Sequence, residues 1–281
     1  MTSIASDREL AGRLFPGFPI ERFEPIEGGW TVATYEVNEG WILQLPRSDG
    51  SAELLRSQIQ ILPQLARELS APVPLPERAS SDPPAMLYRK LEGMPADRAP
   101  DGIWPERLGR SLYDLHLVPP EVVGLRPVPP GAIRDRLRER VTRLSGAVRP
   151  LLSAEEAGRA DELVRAFLDD DRMWTFATCL IHGDLAAEHI LVGEGGDLAG
   201  ILDWEELGIG DPASDFAWVL EATPDQGERA LAAYGGAPDA AFRERARFLA
   251  ALIPWDDVEH HGARPGPSLE RALDEVRARL P

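Results

Sequence analysis

Between Cys179 and Leu220 the chain reads CLIHGDLAAEHILVGEGGDLAGILDWEELGIGDPASDFAWVL. Short apolar runs, Leu180-Ile181, Ile190-Leu191-Val192 and Gly200-Ile201-Leu202, alternate there with polar loops. Each run is long enough for a strand and too short for an ordinary helix. Glu194-Gly195-Gly196-Asp197 joins the last two with residues that favour a tight hairpin. Asp184 sits in the loop after the first run, and Asp203 ends the third. The spacing predicts two carboxylates at neighbouring strand ends, converging on one point. Such a pair suits a divalent metal and a hydroxyl held for reaction. His182 and His189 add two groups that bind metal or move protons. One Asp alone would more often cap a turn. This set at this spacing argues for chemistry.

The rest of the chain frames that stretch. Residues 30–46 alternate in strand fashion around Asn38-Glu39-Gly40, which predicts a hairpin. Residues 51–69 place Leu54, Leu55, Gln58, Leu62, Leu65 and Leu69 on one helical face. Met86-Leu87-Tyr88 reads as a strand, followed by a connector punctuated by Gly93 and Pro95. Helices are expected at 104–117 and 132–147. Ser153 and Glu156, at capping-box spacing, open a third that runs to Leu168. The C-terminal part reads as helical, with a break from Pro254 to Pro267. A β-rich beginning and a mainly helical remainder predict an α+β fold in two lobes, divided near residue 90.

Composition narrows the partners. The formal charge of −17 over 281 residues repels phosphate backbones and excludes nucleic acid. It favours a cationic small molecule. No apolar run reaches the length of a membrane span, and the N-terminal residues do not read as a signal peptide. Cys179 is the only cysteine, so no internal disulfide forms, and a cytoplasmic location is expected. Lys90 is the only lysine; every other fixed cation is an arginine.

His182-Gly183-Asp184-Leu185 followed by His189-Ile190-Leu191 resembles the catalytic loop of the aminoglycoside and macrolide phosphotransferases. Ile201-Leu202-Asp203-Trp204 resembles their metal-binding strand end, and Gly210-Asp211-Pro212 with Asp215-Phe216 the segment after it. Glu27-Gly28-Gly29-Trp30 and the following hairpin resemble their phosphate-covering loop and next strand. Leu91-Glu92-Gly93 and Leu115-His116 match further positions. His189, where most of that family carries asparagine, is most similar to the macrolide kinases and the aminoglycoside 2''-phosphotransferases. The resemblance implies a protein-kinase-like fold, with residues 1–90 as the nucleotide lobe, a hinge at 89–92 and residues 91–281 as the catalytic and acceptor lobe. It implies ATP or GTP as phosphate donor and magnesium as metal. Asp184 would orient the acceptor hydroxyl, Asp203 would hold magnesium, and His189 would assist there or hydrogen-bond Asp184. Gly28, Gly29, Gln44, Arg89, Lys90 and Leu91 would surround the nucleotide. Asp215 would brace the catalytic loop, and Asp211-Pro212 would start a helix. His182 and His116 are expected to be buried and structural.

In one respect the sequence departs from that pattern. Gln44 and Gln58 stand where a kinase of this kind places a phosphate-contacting cation and its glutamate partner. The amides either contact phosphate themselves, coupled to each other, or leave that role to Arg47 or Arg56, or mark a relative that binds without turnover. For the acceptor, Trp255, Asp256, Asp257 and Glu259 are the expected contacts, with carboxylates for ammonium groups and an indole for a sugar or lactone. Competing readings are a metallohydrolase built on His182, Asp184, His189 and Asp203, a sequestering protein, and a kinase of a small amine metabolite. A monomer or a homodimer is compatible with the sequence.

Overall fold

The computed structural model describes residues 3–26, 31–262 and 266–281. Helix α1 (Ile4–Leu14) precedes strands β1 (Phe23–Ile26), β2 (Val32–Val37) and β3 (Trp41–Pro46). Helix α2 (Asp49–Glu68), β4 (Pro76–Ser81) and β5 (Pro84–Arg89) follow. The strands form one antiparallel sheet in the order β1-β2-β3-β5-β4. Asn38 and Glu39, both at positive φ, and Gly40 make the turn that pairs Val37 with Trp41. Alternation along the strands divides the side chains between two faces. Tyr35, Leu43 and Leu87 pack with Ala11 of α1 and with Phe15 just after it. Ile42, Met86 and Tyr88 pack with Leu55, Leu62 and Leu65 of α2.

After Lys90 the chain leaves this sheet. Strand β6 (Met94–Pro95) leads to α3 (Trp104–Leu117), α4 (Pro130–Val148) and α5 (Ala154–Leu168). The expected capping box of α5 is present: Ser153 Oγ accepts from Glu156 N, and Glu156 Oε2 accepts from Ser153 N. Then come β7 (Cys179–Ile181), β8 (Ile190–Val192), β9 (Leu198–Ile201) and β10 (Gly208–Gly210). Helices α6 (Ala217–Ala222), α7 (Pro224–Ala233), α8 (Phe242–His261) and α9 (Pro267–Ala278) complete the described chain. One core cluster joins Ile42, Leu62 and Tyr88 to Leu108, Val192 and Ile201, so the sheet and the helical part share buried surface. A second cluster lies among α4, α5, α8 and α9.

Two expectations need correction. The strands bearing Asp184 and Asp203 are not paired: β7 pairs with β10, and β9 lies beside β8 in a separate sheet with β6. The helix also does not break at Pro254; α8 runs through it. Proline has no N–H for the carbonyl four residues earlier. Arg279 NH1 supplies the missing donor, 2.6 Å from Ala250 O, and the helix continues.

Among the described residues no helix is long and apolar enough to cross a membrane.

Candidate active site

The loop between β7 and β8 carries Asp184, and its backbone is clamped from several sides. Asp215, buried at 1 % exposure, accepts from His182 N at 2.9 Å and from Gly183 N at 3.0 Å. Gly183 has φ +88, and a Cβ there would meet Glu206 O at 2.5 Å, so only glycine fits. His182 is fully buried, and burial lowers its pKa, so its imidazole is neutral. Its Nε2 donates to Leu202 O at 2.8 Å and its Nδ1 accepts from Asp184 N at 3.3 Å. The ring lies 4.6 Å from that of Trp204. His182 therefore joins the two acidic segments without facing the site. Against this fixed backbone the Asp184 carboxylate remains 57 % exposed.

Asp203 is held from its own side. Leu202 N donates to His189 O at 2.8 Å, so the Leu202 peptide is fixed through both its N–H and its carbonyl. The next residue, Asp203, then adopts φ +58, a left-handed conformation that costs a non-glycine residue energy and aims its side chain away from the strand. His189 lies between the two acids. Its Nδ1 donates to Asp184 O at 2.6 Å, and its Nε2 is 3.5 Å from Asp203 Oδ2. Nδ1 is thus occupied, and Nε2 is the nitrogen that faces Asp203. The chemistry of these donors fits magnesium, which is held by one or two protein carboxylates and completes its shell with phosphate oxygens and water. Among the described residues no three His, Cys, Asp or Glu side chains form a ready-made cage.

Further residues support the loop from behind. His116 Nε2 donates to Asp215 Oδ2 at 3.0 Å, and Tyr234 OH donates to His116 Nδ1 at 2.8 Å. Arg245, fully buried, pairs with Asp211 and Asp239, the first of which caps the turn after β10 by accepting from Ala213 N. Thr31 Oγ1 donates to Glu205, joining the start of β2 to the segment just after Asp203. Burial pushes the Glu205 carboxyl up; the Thr31 hydrogen bond opposes this, and the nearby Asp203, Glu206 and Asp184 add to it.

A cavity of about 280 Å³ opens between the sheet and this site. Gln44, Gln58, Lys90 and Leu91 line it together with His189 and Asp203. Arg89 turns outward, its guanidinium 3.9 Å from the Trp41 ring and 3.4 Å from Glu77, so its backbone alone borders the crossing between sheet and helices. Lys90 Nζ is paired with Glu36 at 3.0 Å. Gly28 and Gly29 lie outside the described residues. A larger cavity, about 770 Å³, lies beyond Asp215 among Tyr113, Trp174, Cys179 and Tyr234 and contains neither Asp184 nor Asp203. Burial raises the Cys179 thiol pKa.

The expected acceptor contacts lie apart from the cavity that holds Asp203. Trp255 is 2 % exposed and packs in the core of α4, α8 and α9, so it presents no face to a ligand. Asp256 and Glu259 are paired with Arg140 and Arg143 of α4. Asp257 is partly buried, and burial, with Glu275 close by, raises its pKa. None of the four lines the cavity that holds Asp203. Trp255→Ala is therefore expected to cost about 3–5 kcal/mol of stability in denaturant unfolding, as for other buried tryptophans. At a temperature where the variant stays folded, its acceptor KM should match the wild type.

The profile of the APH family, described as the phosphotransferase enzyme family, matches residues 22–251. Viomycin phosphotransferase of Streptomyces vinaceus is 25 % identical over 261 residues, covering 87 % of this chain and 88 % of that protein. The uncharacterised protein YcbJ of Bacillus subtilis (strain 168) is 26 % identical over 194 residues; the match takes in 63 % of this chain and spans 61 % of that protein. Among solved structures, the GDP complex of wild-type aminoglycoside 2'-phosphotransferase-IIIa superposes with a TM-score of 0.84 at 21 % identity, over 99 % of this chain and 98 % of that one. The apoenzyme of a macrolide 2'-phosphotransferase from Brachybacterium faecium superposes with a TM-score of 0.74 at 24 % identity, over 95 % and 96 %. At these identities the superpositions establish the kinase-like α+β fold. With a profile match over most of its length, this chain belongs to the APH phosphotransferase enzyme family.

Proposed function

We infer that the protein moves the γ-phosphate of ATP or GTP to a hydroxyl of a cationic small molecule of the aminoglycoside or macrolide kind. The observation that carries this reading is the exposed Asp184 carboxylate on a loop fixed by Asp215, His182 and His189. Phosphoryl transfer asks a protein mainly to position a nucleophile and neutralise charge. Asp184 accepts the hydrogen bond of the acceptor hydroxyl and aligns its oxygen for attack. Asp203 is the residue that would hold magnesium, with His189 Nε2 beside it. Magnesium, when bound, supplies positive charge to the phosphates. Residues 1–90 act as the nucleotide lobe and 91–281 as the catalytic lobe, with the backbone at 89–92 as the hinge. The net charge of −17 and the carboxylates Glu205 and Glu206 next to Asp203 favour a cationic acceptor. The resemblance to viomycin phosphotransferase adds viomycin to the acceptors to be tried.

The test is nucleotide consumption with magnesium, ATP or GTP, against aminoglycosides, macrolides and viomycin. Acceptor-dependent release of the nucleoside diphosphate is expected for at least one class. Nucleotide binding without stimulation by any of them would leave a sequestering protein or a kinase of another amine. Hydrolytic activity without nucleotide would favour the metallohydrolase reading.

A further inference from the structure

Gln44 and Gln58 both line the cavity that holds Asp203. Gln44 lies on β3, paired between Thr34 of β2 and Met86 of β5. Gln58 projects from α2 and is 5 % exposed. Gln44 Oε1 and Gln58 Nε2 are sealed from solvent and have no hydrogen-bond partner among the described residues. Buried polar atoms are nearly always paired, so two such orphans on one wall call for an explanation. They are complementary: one is an acceptor, the other a donor.

Among the described residues no unpaired cation lines the cavity beside them. Lys90 is held by Glu36. Arg56 donates to Ser81 O and to Glu53, away from the cavity. Arg47 is exposed and does not line the cavity. Among the described residues Lys90 is the only Lys or Arg in the cavity lining. Because the oxygen of Gln44 is sealed, its nitrogen is the polar atom left to face the cavity.

We propose that Gln58 and Gln44 form a neutral relay for the phosphate chain of the nucleotide. Gln58 Nε2 donates to Gln44 Oε1, and Gln44 Nε2 donates to a phosphate oxygen. Binding thereby satisfies both orphans, and the amide dipoles take the place of a fixed positive charge at this wall. The proposal rests on the phosphotransferase reading above and specifies how its donor is held. Magnesium and the relay divide the work on the phosphates, the ion supplying charge and the amides supplying direction.

The experiment is calorimetric titration of the full-length chain with ADP and GDP, with and without magnesium, for the wild type, Gln58→Met, Gln44→Met and Gln44→Glu. Thermal unfolding of each is followed without nucleotide. Gln58→Met removes an unpaired amide, so its unfolding midpoint is expected to hold or rise while nucleotide affinity falls about tenfold. The loss should appear in the nucleotide KM rather than in kcat. Gln44→Glu sets a carboxylate against phosphate and should lose about a hundredfold. A purely structural role would instead lower the midpoint of Gln58→Met, and that result overturns the relay. So does wild-type nucleotide affinity in all three variants when the wild type itself binds and turns over. A wild-type protein that binds neither nucleotide overturns the phosphotransferase reading together with the relay.

Discussion

Asp184→Ala is expected to lower acceptor-dependent turnover by about 10²–10⁴-fold, the range for removing a positioned acid or base. Nucleotide affinity should stay within about threefold, because the lost contact is made to the acceptor hydroxyl and matters in the transition state. The structure makes this variant informative. The Asp184 backbone donates to His182 and accepts from His189, while its side chain has no hydrogen-bond donor among the described residues. Removing the carboxylate leaves the loop anchored. Steady-state turnover and ADP or GDP titration on the same preparation separate the two effects. Equal losses in both would mean that Asp184 belongs to the nucleotide site.

Asp215→Ala should strongly lower stability. Asp215 is buried at 1 % exposure and accepts from His182 N, Gly183 N and His116 Nε2. Truncation leaves buried donors without a partner and is expected to cost about 3–5 kcal/mol, comparable to breaking a buried ion pair. The catalytic loop loses its anchor at the same time, so turnover falls even where the variant stays folded. Asp215→Asn keeps the shape but turns one acceptor into a donor that opposes the loop N–H groups. The pH dependence follows from the carboxyl itself. Burial, the largest single effect, resists its ionisation, but the His116 hydrogen bond, the nearby His116 and His182 rings and the Gly183 N–H together outweigh it, and its folded pKa lies below the ordinary value. Its contribution is therefore fully present above the unfolded carboxylate value of about 3.9 and is lost as pH falls through the lower folded value. Urea unfolding should show the wild type well above Asp215→Asn near neutral pH, with the gap closing in acid.

What the sequence revealed was mostly local. Asp184, His189 and Asp203 stand on short strands and loops close together in the chain, and the structure brings them within a few side chains of one another. The α5 capping box and the bounds of α3 were legible for the same reason: their signals lie within one turn. Strands β1 and β4 were missed. Phe23-Glu24-Pro25-Ile26 and Pro76-Glu77-Arg78-Ala79-Ser80-Ser81 lie at the sheet edges and carry no strong apolar alternation. Pro254 misled because the donor that rescues its helix, Arg279, is 25 positions away.

Of the expected acceptor contacts, Trp255 is buried for a related reason. Trp255 and Asp256 look like a binding pair when read along the chain, but α4 covers one and neutralises the other through Arg140. Residues that steady the site from a distance show their partners only in the fold. His116 was expected to be buried and structural, but its bond to Asp215 appears only in three dimensions. Thr31 and Glu205 are 174 positions apart and meet only in the fold. The departure at Gln44 and Gln58 was visible as residue types. That each leaves a buried amide atom unpaired was not.

The central claim is tested most directly by following the fate of the transferred phosphate. The protein is incubated with magnesium, ATP or GTP and an acceptor that stimulates nucleotide consumption, and the products are read by phosphorus NMR and mass spectrometry. A phosphate monoester on an acceptor hydroxyl is expected, formed in step with ADP or GDP and absent with Asp184→Ala. Release of inorganic phosphate with the acceptor unmodified would contradict the account.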